Sequence, residues 1–264
     1  MYAKNFYYDN LELSDFGFII GSLESSDLYE QTTGSVITFN KIPYRGGSKH
    51  SLISSKYESC FETTFDIVKE SDDKVISSEE YRDIAQWLNR KQFLPFKFQD
   101  DNATSDVWFN ASFNLSQLVY NDKIYGIRLQ MTTDSPYGTG DIKSQTFNFS
   151  ERNQGKILVE SDEYGYFVPE MVMDCLEDGN IIIQNQDAGI TMQINNCTNG
   201  ERITIKGQER IITSTNSNHH VYNDFNYHFL KIGITPDISY NTIVNQGITN
   251  ILKITYRPII KNFV

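Results

Sequence analysis

Three cysteines in 264 residues, Cys60, Cys175 and Cys197, are too few for a disulfide framework, and none sits in a C-x-x-C pair. They are expected to be reduced thiols in small buried or strand positions. No apolar run approaches the roughly 18 residues that a membrane-spanning helix requires. The first ten residues, MYAKNFYYDN, lack the apolar stretch of a secretory signal. The expectation is a soluble protein, made in a reducing cytoplasm, without a membrane partner. Basic residues are also short: 23 Lys and Arg face 34 Asp and Glu, for a net charge of −11. The acidity runs through both halves of the chain, so it will not grip nucleic acid by counterion release.

Catalytic signatures are equally sparse. There is no Walker loop, no G-x-G-x-x-G, no G-x-S-x-G and no H-E-x-x-H. The acidic pairs Asp72-Asp73, Glu79-Glu80 and Asp100-Asp101 fall in turns or at a helix start, where carboxylates complement free amides. His219-His220 follows a polar Ser-Thr-Asn-Ser-Asn loop, with Asp224 and His228 downstream. A loop metal site there lacks the usual ligand spacing, and a solvated or interface role fits the histidines better. No catalytic residue, metal or cofactor is expected, and the chain reads as a non-enzyme.

Aromatics are what the chain has in quantity, with 17 Phe and 16 Tyr beside 2 Trp. Rings of this kind suit pleated surfaces. Alternating or short apolar runs mark strands at 35–42, 58–68, 93–98, 107–115 and 125–132. One helix is expected over 78–90. Ser77 and Glu80 have capping-box spacing, Tyr81, Ile84, Ala85 and Leu88 form an apolar stripe, and Trp87 lies on its edge. The stretch Asp134-Ser135-Pro136-Tyr137-Gly138-Thr139-Gly140 breaks the pattern and divides the chain into domains 1–137 and 138–264. Beyond it come short strands at turn spacing: 146–149, 155–160, 170–175, 180–184, 190–195, 202–206, 210–214, 229–232 and 248–256. Such a run without a helix indicates a β-sandwich.

Two groups of residues stand out as candidate contact sites. Arg45, Gly46, Gly47, Lys49 and His50, with Lys56 nearby, make a basic turn in an acidic protein. That turn is either an ordinary solvated loop or an arm that reaches an acidic neighbour in an oligomer. Tyr164, Tyr166 and Tyr222 lie in or beside loops of the second domain, where rings stack on sugars, pack under loops or meet another subunit.

Four passages then resemble a known family. They are Phe6 to Ile20 with Asp15-Phe16-Gly17-Phe18; the capped helix with Ala85-Gln86-Trp87-Leu88 running into Phe93-Leu94-Pro95-Phe96-Lys97-Phe98; the junction Thr133-Asp134-Ser135-Pro136-Tyr137-Gly138; and a last group. That group comprises Gly179-Asn180-Ile181-Ile182-Ile183, Gly200-Glu201-Arg202-Ile203-Thr204-Ile205, Gly247-Ile248-Thr249-Asn250 and Lys253-Ile254-Thr255-Tyr256-Arg257-Pro258. In this order the chain resembles the distal tail proteins (Dit) of siphophages over nearly its whole length. The resemblance implies a mainly β protein: an N-terminal β-sandwich-like ring domain with one α-helix, and a C-terminal galectin-like β-sandwich. It implies a homohexameric ring at the virion tail tip, assembled in the host bacterial cytoplasm. Its partners would be the tail tube protein, the tail-associated hub protein and a receptor-binding or adaptor protein, with DNA passing through the lumen unbound. The alternative is a lectin-like module that engages cell-wall saccharide through the tyrosines.

Overall fold

The computed structural model describes residues 4–21, 35–45, 48–99, 107–236 and 240–261. The chain forms two compact units, Met1–Gly140 with Ile260–Val264, and Asp141–Ile259. The fold is mainly β. No helix of the described residues is long and apolar enough to cross a membrane.

In the first unit the strands are β1 (Asn5–Tyr8), β2 (Leu11–Glu12), β3 (Phe18–Gly21), β4 (Ile37–Pro43), β5 (His50–Tyr57), β6 (Glu62–Lys69), β7 (Leu94–Gln99), β8 (Phe109–Tyr120), β9 (Lys123–Thr133) and the two-residue β10 (Gly138–Thr139). Seven of them make one antiparallel sheet in the order β2-β1-β7-β8-β9-β6-β3. The long β8–β9 hairpin turns at Asn121 and Asp122, both at positive φ, as a two-residue hairpin turn requires. Asp100-Asp101-Asn102, expected as a polar turn after β7, lies outside the described residues.

Helix α1 (Ser78–Leu88) starts as its sequence demands. Ser77 Oγ accepts from the Glu80 amide, and Glu80 Oε2 accepts from the Ser77 amide. It ends at Leu88, with Asn89 as cap, two residues short of the sequence expectation. Trp87 is buried rather than on the edge of the stripe. Its ring stacks on Phe16 (4.5 Å) and Phe6 (5.6 Å), and its indole N–H donates to the Tyr8 carbonyl at 3.1 Å. Phe6, Phe96 and Phe113 extend this aromatic centre across the sheet.

In the second unit the strands are β11 (Lys143–Asn148), β12 (Gln154–Leu158), β13 (Gly165–Phe167), β14 (Glu170–Cys175), β15 (Gly179–Asn185), β16 (Ile190–Cys197), β17 (Arg202–Lys206), β18 (Ile211–Ser214), β19 (Ile232–Ile234), β20 (Tyr240–Asn245) and β21 (Asn250–Tyr256), and the two-residue β22 (Ile259–Ile260) falls where the chain passes back to the first unit. Two sheets, β11-β21-β14-β17-β18 and β12-β20-β15-β16, enclose a core of Ile, Met, Phe and Cys side chains. This is a β-sandwich built on period-two burial: β14 and β15 bury every second residue. One expectation fails here. The unit is not free of helix, because the one-turn α2 (Val221–Asp224) packs Val221 into the core.

Candidate functional site

Among the described residues, strands β4 and β5 pair only with each other. Isolated two-stranded ribbons are marginal in water unless a third strand or another surface covers one face. Strand alternation ordinarily hides one apolar face. In this ribbon Ile37, Phe39, Ile42, Leu52 and Ile53 are all exposed, from 41% for Ile37 to 59% for Ile53. The register slips between Asn40 and Lys41, and Tyr57 roots the base of the ribbon against Tyr137 in an edge-to-face contact of 5.4 Å.

Of the basic turn expected from the sequence, Arg45 and Lys49 flank the ribbon's tip, and His50 is the first residue of β5. Arg45, Lys49, His50 and Lys56 are exposed. Among the described residues none of the four forms an ion pair with a carboxylate. Gly46 and Gly47 lie outside the described residues. The structure thus puts the basic side chains on or beside an exposed apolar ribbon, whose second strand, residues 50–57, has no strand pattern in the sequence.

The tyrosines fall on separate elements. Tyr164 precedes β13 and is 65% exposed; Tyr166, on β13, is half-buried with its hydroxyl donating to the Asp187 carbonyl at 3.4 Å. Tyr222 belongs to α2, is 55% exposed, and its carbonyl accepts from the Tyr227 hydroxyl at 2.7 Å.

A third group gathers around His219, one of the loop histidines of the sequence, and adds Glu201 and Cys197, which the sequence does not connect to it. The side chain of His219 is only 3% exposed and that of Glu201 is fully buried, so of the solvated or interface role expected for the histidines, the solvated one fails for His219. His219 Nδ1 lies 2.5 Å from Glu201 Oε1, and its Nε2 lies 3.3 Å from Asp224 Oδ2. Glu201 Oε2 accepts from the amide and hydroxyl of Thr198, and Oε1 from the Ser214 hydroxyl. Burial pushes the Glu201 carboxyl up, but the hydrogen bonds from Ser214, His219 and Thr198 outweigh it and hold the group below the usual carboxylate range. Burial pulls the His219 imidazole down, and the Glu201 hydrogen bond and charge more than reverse that. Cys197 Sγ belongs to the same cluster, with all donor atoms within 4.8 Å of one another, and donates to the Ile194 carbonyl at 3.7 Å and the Asn195 carbonyl at 3.9 Å. A polar turn hid the group, since nothing in Asn216-Ser217-Asn218-His219 signals burial.

A family described as "Phage tail protein N-terminal domain" matches residues 1–135, and one described as "Phage tail C-terminal domain" matches residues 137–256. The chain belongs to this phage tail protein family and is a structural component of the virion tail. Among solved structures it is similar to the Dit (gp 19.1) protein of phage SPP1, described as a paradigm of the hub adsorption apparatus in phages infecting Gram-positive hosts. The TM-score is 0.69 at 10% identity, over 96% of this chain and 98% of that one. A chain of the phage P2 baseplate in its activated conformation with Ca aligns at a TM-score of 0.49 and 9% identity, over 97% and 98% of the two chains. No curated protein matches by sequence.

Proposed function

We propose that the protein forms a homohexameric ring at the distal end of the tail. The ring joins the tail tube protein to the tail-associated hub protein and to a receptor-binding or adaptor protein. Its carrying observation is the β4–β5 ribbon, whose five exposed large apolar side chains have no covering surface among the described residues. A cyclic ring needs two different complementary patches on each subunit, and a projecting arm is one such patch. Arg45, Lys49, His50 and Lys56 would pair with carboxylates of the neighbouring copy, and the acidic chain leaves DNA free to slide through the lumen. Six copies is the number implied by the resemblance to distal tail proteins, and the SPP1 likeness supports the fold on which that number rests. Assembly takes place in the host bacterial cytoplasm, and the protein performs no catalysis.

Charge reversal at Arg45 and Lys49, or Phe39→Asp on the ribbon, is expected to dissociate the ring while leaving the circular dichroism of the subunit unchanged. Rings of unchanged mass in both variants would refute the arm's role. A second reading, saccharide binding by the second unit, draws on the exposure of Tyr164 and Tyr222. Calorimetry with cell-wall saccharides tests it: binding that survives both Tyr→Ala changes, or no binding at all, removes it.

A further inference from the structure

The cluster around His219 reaches beyond assembly. Cys197 ends β16 and Glu201 immediately precedes β17 across one turn, and His219 comes from the turn before α2, so two segments distant in sequence converge on one point. Sulfur, nitrogen and carboxylate oxygen together are the donor set of zinc-class ions rather than of calcium or magnesium, which take oxygen alone. We propose that Cys197 Sγ, Glu201 Oε1 and His219 Nδ1 bind one divalent transition-metal ion of the zinc class in the second unit.

Each of these donors has an outer partner of the kind that holds a ligand in place. Asp224 Oδ2 stands 3.3 Å from His219 Nε2, and Asn196 Nδ2 fixes the other oxygen of Asp224 at 2.7 Å. Thr198 anchors Glu201 through Oε2 and leaves Oε1 turned to the imidazole. Cys197 Sγ lies against the Ile194 and Asn195 carbonyls, at 3.7 and 3.9 Å. His219 Nε2 is buried and makes no hydrogen bond within the described residues, a cost that a simple carboxylate–imidazole pair does not explain. A ligating imidazole would turn this N–H onto Asp224 and so satisfy it.

The separation of His219 Nδ1 and Glu201 Oε1, 2.5 Å, is that of two atoms sharing a proton. Tetrahedral coordination with bonds of about 2.1 Å sets ligand atoms roughly 3.4 Å apart, so the ion displaces that proton and the Cys197 thiol proton, both released to solvent, and the imidazole moves back by roughly 1 Å. Ser214 retains its hydrogen bond to Glu201 as a further outer contact.

The test uses the full chain, stripped of metal with a chelator and titrated with cobalt(II) alone, then with zinc(II). The expected result is one equivalent of cobalt, with strong visible bands of a tetrahedral ion and a near-ultraviolet thiolate charge-transfer band. Zinc should displace both. Cys197→Ser should abolish the charge-transfer band, whereas Cys60→Ser should keep it. Asp224→Asn, at a partly exposed outer position, should weaken zinc binding by roughly 10- to 100-fold without altering the fold. Failure of the parent chain to bind one equivalent overturns the proposal and leaves a buried ion pair only. A charge-transfer band that survives Cys197→Ser overturns it as well. Neither result bears on ring formation, which rests on the first unit.

Discussion

Tyr8 offers a test of how the first unit is held together. Its ring is fully buried on β1, edge-on to Phe113 at 5.1 Å and to Trp87 at 6.1 Å, yet its hydroxyl has no hydrogen-bond partner among the described residues. A buried hydroxyl without a partner costs about 1–3 kcal/mol, while the ring contacts survive in phenylalanine. Tyr8→Phe should therefore stabilise the unit by about 1 kcal/mol once the small void left by the oxygen is allowed for. For a unit of this size that is roughly 3–4 °C in Tm. Burial, then the charge of Asp9, pushes the Tyr8 phenol up to about 12 from an ordinary 10.0. Because the folded state resists ionisation, the stability of the parent is complete below pH 10 and falls as pH rises from 10 to 12. At pH 11 that loss is about 1.4 kcal/mol relative to the variant, which has no phenol to ionise. Urea unfolding followed by tryptophan fluorescence reads the unit selectively, since both tryptophans, Trp87 and Trp108, lie in it. A variant less stable than the parent at pH 7, or a gap that fails to widen between pH 9 and pH 11, would refute the reasoning.

Other substitutions probe other parts of the fold. Ser77→Ala removes half of the capping box of α1 and should cost about 1 kcal/mol, with Ser77→Asp nearly neutral, in the same fluorescence assay. Asp66 is buried and takes a two-point contact from Arg128, at 2.8 and 3.0 Å across β6 and β9. Arg128→Met, which strands the carboxylate, should cost about 2–4 kcal/mol, more than Asp66→Asn, and the double variant should recover part of the loss. An equal cost for both single changes would contradict this asymmetry. In the second unit, a Cβ on Gly233 would sit 1.9 Å from the Gly165 carbonyl and 2.7 Å from Tyr166 Cα, so Gly233→Ala must open the β13–β19 ribbon. A loss above about 2 kcal/mol is expected, against about 1 kcal/mol for Gly189→Ala, where only positive φ is at stake. Thermal melts by circular dichroism compare the two.

The sequence was legible where burial follows period two or the helical repeat. Glu170–Cys175 and Arg202–Lys206 are strands with the expected limits, since each alternates apolar and polar residues against a core. The α1 start was legible because a capping box is a local device. Strand β20 was not, and its buried side explains why. Asn241, Ile243 and Asn245 face inward, and the asparagines satisfy themselves there: Asn241 Nδ2 donates to the Gly233 carbonyl at 2.7 Å, and Asn185 Nδ2 to Asn241 Oδ1 at 2.8 Å. Polar side chains in a core invert the hydrophobic signal. Strand β5 was hidden for the opposite reason. Serine-rich and exposed from His50 to Lys56, with only Tyr57 half-buried at its end, it leaves no periodic trace. The His219 group combines both effects, because its partners Glu201 and Asp224 are brought to it only by the tertiary fold.

The central claim is that this tail protein closes into a ring. Light scattering on purified chain, with negative-stain imaging of the same fraction, tests it most directly. The account predicts the mass of six subunits and a disc with a central hole, lost on charge reversal at Arg45 and Lys49. A protein that stays monomeric at every concentration, and still does so when mixed with its tail tube and hub proteins, would contradict it.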